Sequence, residues 1–256
     1  WIEKHAFYPG NTIAYEQEHL QYSPEDMRLE MSSYGKGDIR EPFICLVHAD
    51  GSRTSDFVFD SYEIKKGCLD LGFMPASYDD EGKAETLCIH LKDASYSLYL
   101  DLNYVVYENC DVITRNAKLT NKSEEALQID RILSMQLDLD RAGYVFSTFR
   151  GAWAREMQRD TCLVTGGKHI ASSMTGTSSN RCNPFFMVHP LETNEDAGEV
   201  YGFNLVYSGN HYECVEGSWL GKTRICSGIN PESFCYKLDP GESFDTPEAV
   251  MTYSNR

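Results

Sequence analysis

Hydrophobic and polar residues alternate with a period of two over long stretches of this chain. The clearest run is Leu127–Leu139, in which apolar residues share one face and polar residues from Gln128 to Asp138 share the other. Arg131 and Ile132 interrupt the alternation once, which indicates a β-bulge or a paired arginine. One apolar face and one polar face favour a strand of an antiparallel sheet with one side in water.

Shorter runs repeat this pattern, with turn residues between them. Residues 96–107 place Leu98, Leu100 and Leu102 on one face, and residues 200–207 form a further branched and aromatic run closed by Ser-Gly-Asn. Helical periodicity is nearly absent, and residues 23–30 predict only one or two helical turns. The sequence therefore predicts an all-β fold, a sandwich of antiparallel sheets.

Two irregular stretches interrupt the strand pattern, residues 1–44 and residues 165–186. Long loops on a rigid sandwich are common places for binding sites. Because composition does not shift along the chain and no repeat is visible, we expect one domain. It comprises an irregular N-terminal part, residues 1–44, and a sandwich, residues 45–256.

Composition narrows the possible partners. The net charge of −16 argues against nucleic acid and anionic membranes, and no apolar run approaches transmembrane length. Nine cysteines include no Cys-x-x-Cys pair, which favours free, mostly buried thiols in a reducing cytoplasm. The start, Trp-Ile-Glu-Lys-His, shows no signal peptide, and the missing initiator Met indicates a fragment or a chain trimmed at its N-terminus.

Candidate chemistry is sparse. The seven histidines show no metal-ligand spacing, and His90 reads as a sheet residue. The Gly-Lys-Gly at 35–37 lacks the strand and the Lys-Ser/Thr of a phosphate loop. Carboxylate pairs such as Asp138 and Asp140 lie in positions where solvated side chains are expected. The sequence thus predicts no metal, no cofactor and no catalytic residue in this chain.

Two short segments could bind a sugar. In Gly-Ala-Trp-Ala-Arg-Glu, 151–156, the indole of Trp153 can stack on a pyranose while Arg155 and Glu156 bond its hydroxyls. The alternative is a Trp packed under a loop beside a surface Arg–Glu pair. Asp38 and Arg40 share a face of an extended segment, where the alternative is a structural salt bridge. Residues 178–186 form either a binding loop or a hydrogen-bonded corner that leads into a buried strand.

Several motifs, in order along the chain, resemble the non-catalytic N-terminal domain of family 36 glycoside hydrolases. The most informative is Gly-Glu-Val-Tyr-Gly-Phe-Asn-Leu-Val-Tyr-Ser-Gly-Asn at 198–210. Others are Ser-Tyr-Gly-Lys-Gly-Asp-Ile-Arg at 33–40, Gly-Ala-Trp-Ala-Arg-Glu at 151–156 and Gly-Ile-Asn-Pro at 228–231, with further matches at 48–53, 84–87, 111–115, 178–186 and 240–248. Together they cover nearly the whole chain from about residue 30.

The resemblance implies an antiparallel β-supersandwich, the galactose-mutarotase-like sandwich of large sheets. Family members are retaining α-galactosidases that act on melibiose, raffinose and similar oligosaccharides. Both catalytic Asp residues lie in a (β/α)₈ barrel, the nucleophile within Lys-Trp-Asp, and this chain has neither that motif nor a barrel pattern. We therefore expect an inactive fragment whose partners are that barrel and α-galactoside oligosaccharides.

The resemblance also implies an oligomer. In several members the enzyme is a tetramer, and the N-terminal domain reaches into a neighbouring subunit's active site. It implies that Trp153 lines that site and that an early acidic residue, matched loosely by Glu3, does so too. An Arg expected among residues 10–22 is not evident. Two alternatives stay open: a free-standing carbohydrate-binding module with Trp153 or Trp219 as its platform, and a purely structural scaffold.

Overall fold

Two antiparallel sheets face each other in the computed structural model, which describes residues 24–108 and 110–255. The strands are β1 (Ile44–Val47), β2 (Val58–Lys66), β3 (Glu85–Asp93), β4 (Leu98–Val106), β5 (Val112–Asn121), β6 (Leu127–Leu139), β7 (Tyr144–Arg150), β8 (Gln158–Leu163), β9 (Gly167–Ser172), β10 (Phe185–Pro190), β11 (Val200–Val206), β12 (His211–Gly217), β13 (Thr223–Ile229), β14 (Tyr236–Leu238), β15 (Ser243–Asp245) and β16 (Glu248–Ser254). The prediction of a sandwich of large antiparallel sheets is confirmed.

The two sheets differ in size. The smaller has the order β1-β6-β13-β12-β9, with β14 paired to β6, and the larger runs β2-β3-β4-β5-β16-β11-β10-β7-β8, with β15 paired to β5. The segment at 198–210 supplies β11, which lies between β10 and β16 in the larger sheet. Its branched and aromatic side chains therefore serve sheet packing and not a binding or catalytic role.

Strand β6 has the bounds that its alternation predicts, and both explanations for the break near Arg131 hold. Pairing with β1 runs from Arg131 to Ile129 and passes over Asp130, while pairing with β13 passes over Ser134. Each skipped residue is a bulge that bends the strand. Arg131 is also paired, because its guanidinium contacts the carboxylate of Glu41.

The core fills the space between the sheets. Leu98, Leu100 and Leu102 of β4 are fully buried on one face, as the alternation predicts. A second cluster contains Phe186 and Phe203, whose rings stack with centroids 4.8 Å apart. Burying such side chains contributes about 1.5–3 kcal/mol each, which makes this apolar interior the main source of stability.

One expectation about β6 is wrong. Its polar face does not lie in water: Ser134, Gln136 and Asp138 are buried. The N-terminal segment, defined here as residues 27–43, covers them, and the backbone N–H of Leu29 donates to Asp138 at 3.0 Å while the Gln136 amide donates to the Leu29 carbonyl at 3.0 Å. Gln136 and Asp138 exchange water for these partners, so their burial is compensated, whereas the Ser134 hydroxyl has no hydrogen-bond partner among the described residues.

Residues before β1 carry little regular structure. A 3₁₀ turn at Pro24–Asp26 replaces the one or two helical turns expected there, and no further helix or strand lies between residues 27 and 43. The division of the chain at 44/45 stays a prediction, although β1 itself begins one residue earlier, at Ile44. Residue Glu3 lies outside the described residues.

All nine cysteines lie in the described part of the chain and are free, which confirms the prediction of unpaired thiols. Burial is less complete than expected, since only Cys88, Cys214 and Cys226 are buried, while Cys110 and Cys235 are exposed. Among the described residues, no helix has the length and apolarity needed to cross a membrane.

Candidate functional site

Trp153 lies at the tip of the hairpin that joins β7 to β8. Its side chain is 91% exposed, although an indole is among the most costly side chains to leave in water. The alternative of a Trp packed under a loop is therefore wrong. An exposed indole presents a flat apolar face that can stack on the apolar face of a sugar ring.

The backbone of this turn is fixed. The N–H of Arg155 donates to the Ala152 carbonyl at 2.9 Å, and the Glu156 carboxylate accepts the N–H of Ala154 at 3.0 Å. Ala154 has φ 58°, a left-handed conformation that costs a non-glycine residue about 1–2 kcal/mol. These contacts hold Trp153 at a set position. Glu156 thus caps the turn, while the Arg155 side chain is exposed beside it.

Gly151 is required where the turn begins. A Cβ placed there would lie 2.7 Å from the Arg155 carbonyl oxygen and 2.8 Å from the Glu156 Cα, and both atoms belong to the backbone. It would also lie 3.1 Å from the carbonyl oxygen of Asn180, in the next loop. The Trp153 turn therefore packs closely against residues 178–183.

That neighbouring loop is a hydrogen-bonded corner that enters β10. The N–H of Asn183 donates to the Phe149 carbonyl at 2.9 Å, and the Asn183 side-chain oxygen accepts the N–H of Phe185 at 3.1 Å. The Asn183 amide also donates to the sulfur of Met157 at 3.4 Å. The geometry favours the corner over the binding loop, and the corner supports the Trp153 turn.

His211 and Glu213 of β12 form a buried pair, and His211 holds the corner through a hydrogen bond to the Cys182 carbonyl. His211 Nε2 lies 2.9 Å from the Cys182 carbonyl oxygen, so this nitrogen carries the proton, and Nδ1 lies 2.8 Å from the Glu213 carboxylate. Burial raises the pKa of Glu213 to about 7 despite its contact with His211. Burial opposes protonation of His211, but the Glu213 carboxylate raises the pKa of His211 above its ordinary value. Both groups are therefore protonated more readily here than they are in water.

Asp38 and Arg40 do not lie with Trp153 in an exposed site. Arg40 Nη2 lies 2.8 Å from Asp38, Arg40 Nη1 lies 3.2 Å from Asp138, and Arg224 Nη2 lies 2.8 Å from Asp38. The side chains of Arg40 and Asp38 are 1% and 3% exposed. Two arginines and two aspartates thus neutralise one another where the N-terminal segment meets β6 and β13, which favours the structural salt bridge.

The same network corrects the expectation for Asp138. This carboxylate is buried and ion-paired with Arg224, whereas Asp140 is half exposed and pairs with Lys222. Burial alone would raise the pKa of Asp38. The hydrogen bonds from Arg40 and the charge of Arg224 instead hold that pKa below its ordinary value.

One group of potential metal-ligand side chains is not predicted by the sequence. Glu63, Cys88 and His90 bring three potential ligand atoms within 4.8 Å of one another, on the outer side of β2 and β3. Cys88 and His90 are two residues apart in a strand and so share a face. That spacing was visible in the sequence, but the contribution of Glu63 depends on the strand register.

The described residues form a sandwich of two large antiparallel sheets with an exposed Trp turn at one hairpin. The family model of the glycosyl hydrolase family 36 N-terminal domain matches residues 2–239. The chain belongs to this family.

Similar proteins carry the same domain within a longer chain. The alpha-galactosidase AgaA of Geobacillus stearothermophilus is 40% identical over 236 residues, which are 92% of this chain and 32% of that protein. The crystal structure of the alpha-galactosidase from Lactobacillus brevis superposes with a TM-score of 0.90 at 38% identity, covering 94% of this chain and 32% of that one. A variant of AgaA in complex with raffinose superposes with a TM-score of 0.91 at 38% identity, covering 94% of this chain and 34% of that one. The chain thus spans about a third of the length of its relatives.

Proposed function

We propose that this chain is the non-catalytic N-terminal domain of a retaining α-galactosidase that acts on raffinose-type oligosaccharides, and that Trp153 forms part of the rim of the substrate site. Membership of the family supports the domain assignment. The relatives support the substrate class, because variants of AgaA have been solved in complex with raffinose and with stachyose.

Asp38 and Asp138 form a pair of carboxylates that is poorly suited to catalysis. Retaining hydrolysis needs one carboxyl as acid and base and another, about 5 Å away, as nucleophile. Asp38 and Asp138 are near each other, but both accept hydrogen bonds from Arg224 and both are buried. Neither is free to contact a sugar. The proposal therefore puts both catalytic carboxylates in a barrel outside this chain.

A single observation carries the role of Trp153: its indole is 91% exposed on a turn with little backbone freedom. A fixed aromatic ring binds at a smaller cost in conformational entropy than a mobile one. Arg155, exposed on the same turn, can donate to sugar hydroxyls. Glu3 is proposed as a further contact from the resemblance alone. Asp38 and Arg40 are kept out of this role because their polar atoms are already paired.

The proposal includes a tetramer in the cytoplasm. The exposed turn would enter the active site of a neighbouring subunit, which gives the Trp153 indole an apolar partner that it lacks within its own described chain. Nine free thiols fit a reducing compartment. Sedimentation of the full-length protein tests the oligomer, and a mass corresponding to a monomer would contradict it.

Hydrolysis of an aryl α-galactoside tests whether the activity requires the longer protein or is already present in the 256-residue chain. The 256-residue chain should give no hydrolysis above the buffer rate, whereas the longer protein that contains it should turn over the substrate. Hydrolysis by the chain alone would contradict the assignment of both carboxylates to the barrel. An inactive longer protein, soluble and folded, would contradict the enzyme assignment.

Calorimetric titration of the chain with raffinose tests the alternative of a free-standing binding module, which the exposure of both Trp153 and Trp219 favours. A rim that is completed by another chain should give no measurable heat at millimolar sugar. Saturable binding that is lost in Trp153→Ala or Trp219→Ala would favour the module instead.

A further inference from the structure

The outer side of the larger sheet carries a compact group of metal-ligand side chains. In the register between β2 and β3, Glu63 lies opposite Cys88 and Ser61 lies opposite His90. The alternate residue Ile89 is buried in the core, so Cys88 and His90 point away from it. Glu63, Cys88 and His90 therefore converge across two neighbouring strands.

Their spacing suits a small cation. Cys88 Sγ lies 3.7 Å from His90 Nδ1, and His90 Nε2 lies 3.7 Å from the Glu63 carboxylate, with the ligand atoms within 4.8 Å of one another. Around tetrahedral Zn²⁺, with bonds of about 2.0–2.3 Å, neighbouring ligand atoms lie about 3.3–3.6 Å apart. The distance between His90 Nε2 and Glu63 needs a contraction of a few tenths of an ångström. Cys88 Sγ lies on the Nδ1 side of the ring, which Asp101 also contacts, and must rotate to reach a cation at Nε2.

A fourth residue orients the imidazole. Asp101 lies opposite His90 in the register between β3 and β4, and its carboxylate is 2.7 Å from His90 Nδ1. A carboxylate on one ring nitrogen is the usual support for a histidine that ligates metal through the other. Nε2 is thereby left on the side of Glu63.

We propose that Glu63, Cys88 and His90 form a site for a divalent cation of borderline softness, with Zn²⁺ as the prime candidate and Asp101 as a positioning residue. The ligand types, thiolate, imidazole and carboxylate, are those that zinc takes, and three protein ligands leave one position for water. Within the part of the chain that the structure describes, strand β2 ends the larger sheet and pairs only with β3. The cation would clamp that terminal strand to its neighbour.

Binding exchanges protons. The Cys88 thiol gives up its proton to solvent as its sulfur bonds the cation, so one proton is released for each cation bound. Burial raises the pKa of Cys88 to about 12, with Asp101 and Glu63 acting in the same direction and Lys65 against them. Lys65 also contacts the Glu63 carboxylate and must swing away, which its exposure permits. Affinity should therefore fall as the pH is lowered.

Cobalt titration of the 256-residue chain tests the proposal, because thiolate-bound Co²⁺ gives a charge-transfer band in the near ultraviolet. We expect one equivalent to produce the band and Zn²⁺ to abolish it by displacement. The Cys88→Ser variant should lose the band, while Cys110→Ser, at an exposed cysteine, should keep it. A band that persists in Cys88→Ser, or no band at millimolar Co²⁺, would overturn the site.

Two further variants test the site independently, in case Cys88→Ser loses the band because it does not fold. Glu63→Gln changes a side chain that is 42% exposed and should keep the band but weaken affinity. Asp101→Asn should weaken affinity about 10- to 100-fold without changing the stoichiometry. Zn²⁺ should raise the thermal midpoint of the wild type and not of Cys88→Ser. Unchanged affinity in both Glu63→Gln and Asp101→Asn would mean that His90 and Asp101 form only a cross-strand hydrogen bond.

Discussion

Arg224 and Asp138 form a buried, two-pronged ion pair between neighbouring strands. Arg224 Nε and Nη2 lie 2.7 Å from the two carboxylate oxygens of Asp138, at positions that are directly opposite in the β6–β13 register. The remaining Arg224 nitrogen donates to the Ser32 hydroxyl and to the Glu41 carbonyl. One guanidinium thus joins the smaller sheet to the N-terminal segment.

Asp138→Asn should destabilise the domain by about 3–5 kcal/mol, because the change leaves the buried guanidinium groups of Arg40 and Arg224 to share the carboxylate of Asp38. Urea unfolding measures the loss. The matched control is Asp140→Asn, two residues along, where a half-exposed carboxylate pairs with Lys222 and the change should cost less than about 1 kcal/mol. Equal losses in the two variants would show that burial of the network contributes nothing.

Asp38→Asn should show a pH-dependent defect. The pKa of Asp38 is held below its ordinary value of 3.8 in the folded chain, so the ionised carboxylate adds stability above that value, and this contribution is lost as the pH falls through the folded pKa. The gap in thermal midpoint between wild type and Asp38→Asn should be largest near pH 7 and narrow below about pH 3.8. A gap of constant size down to pH 3 would contradict the ion pair.

Gly151→Ala should distort the Trp153 turn. Its Cβ would meet two backbone atoms closer than 3 Å, and relieving such a clash costs about 1–3 kcal/mol. Gly166→Ala is the control, since a Cβ there meets nothing within 4 Å and should change stability by less than about 0.5 kcal/mol. The free energy of unfolding distinguishes them, and a neutral Gly151→Ala would mean that the turn is not rigid.

Much of the framework could be predicted from the sequence, because alternation reports directly on which face of a strand is buried. It predicts the bounds of β6 and the buried face of Leu98, Leu100 and Leu102. It fails at Ser134 and Asp138, where a polar face is buried by a segment that has no periodicity of its own. Only the contacts with residues 27–43 reveal that cover.

Some features of the candidate site are likewise predicted by the sequence, while others depend on contacts between distant segments. The composition of residues 151–156 predicts a Trp turn, but whether the indole of Trp153 is exposed depends on how the turn packs at Gly151 against the corner at residues 178–183, which is distant in sequence. The meeting of Glu63 with Cys88 depends on strand register, which the alternation of single strands does not fix. The spacing of Asp38 and Arg40 predicts a salt bridge as one alternative, which the structure shows, but spacing alone does not reveal that both side chains are buried.

Trp153→Ala in the full-length protein tests the account most directly. Because stacking on an aromatic face is worth about 0.5–1.5 kcal/mol, kcat/KM for raffinose should fall between about two- and twelvefold. The thermal midpoint of the 256-residue chain should not change, since Trp153 is 91% exposed in it. A variant with the wild-type kcat/KM for raffinose would contradict a place for Trp153 at the substrate site.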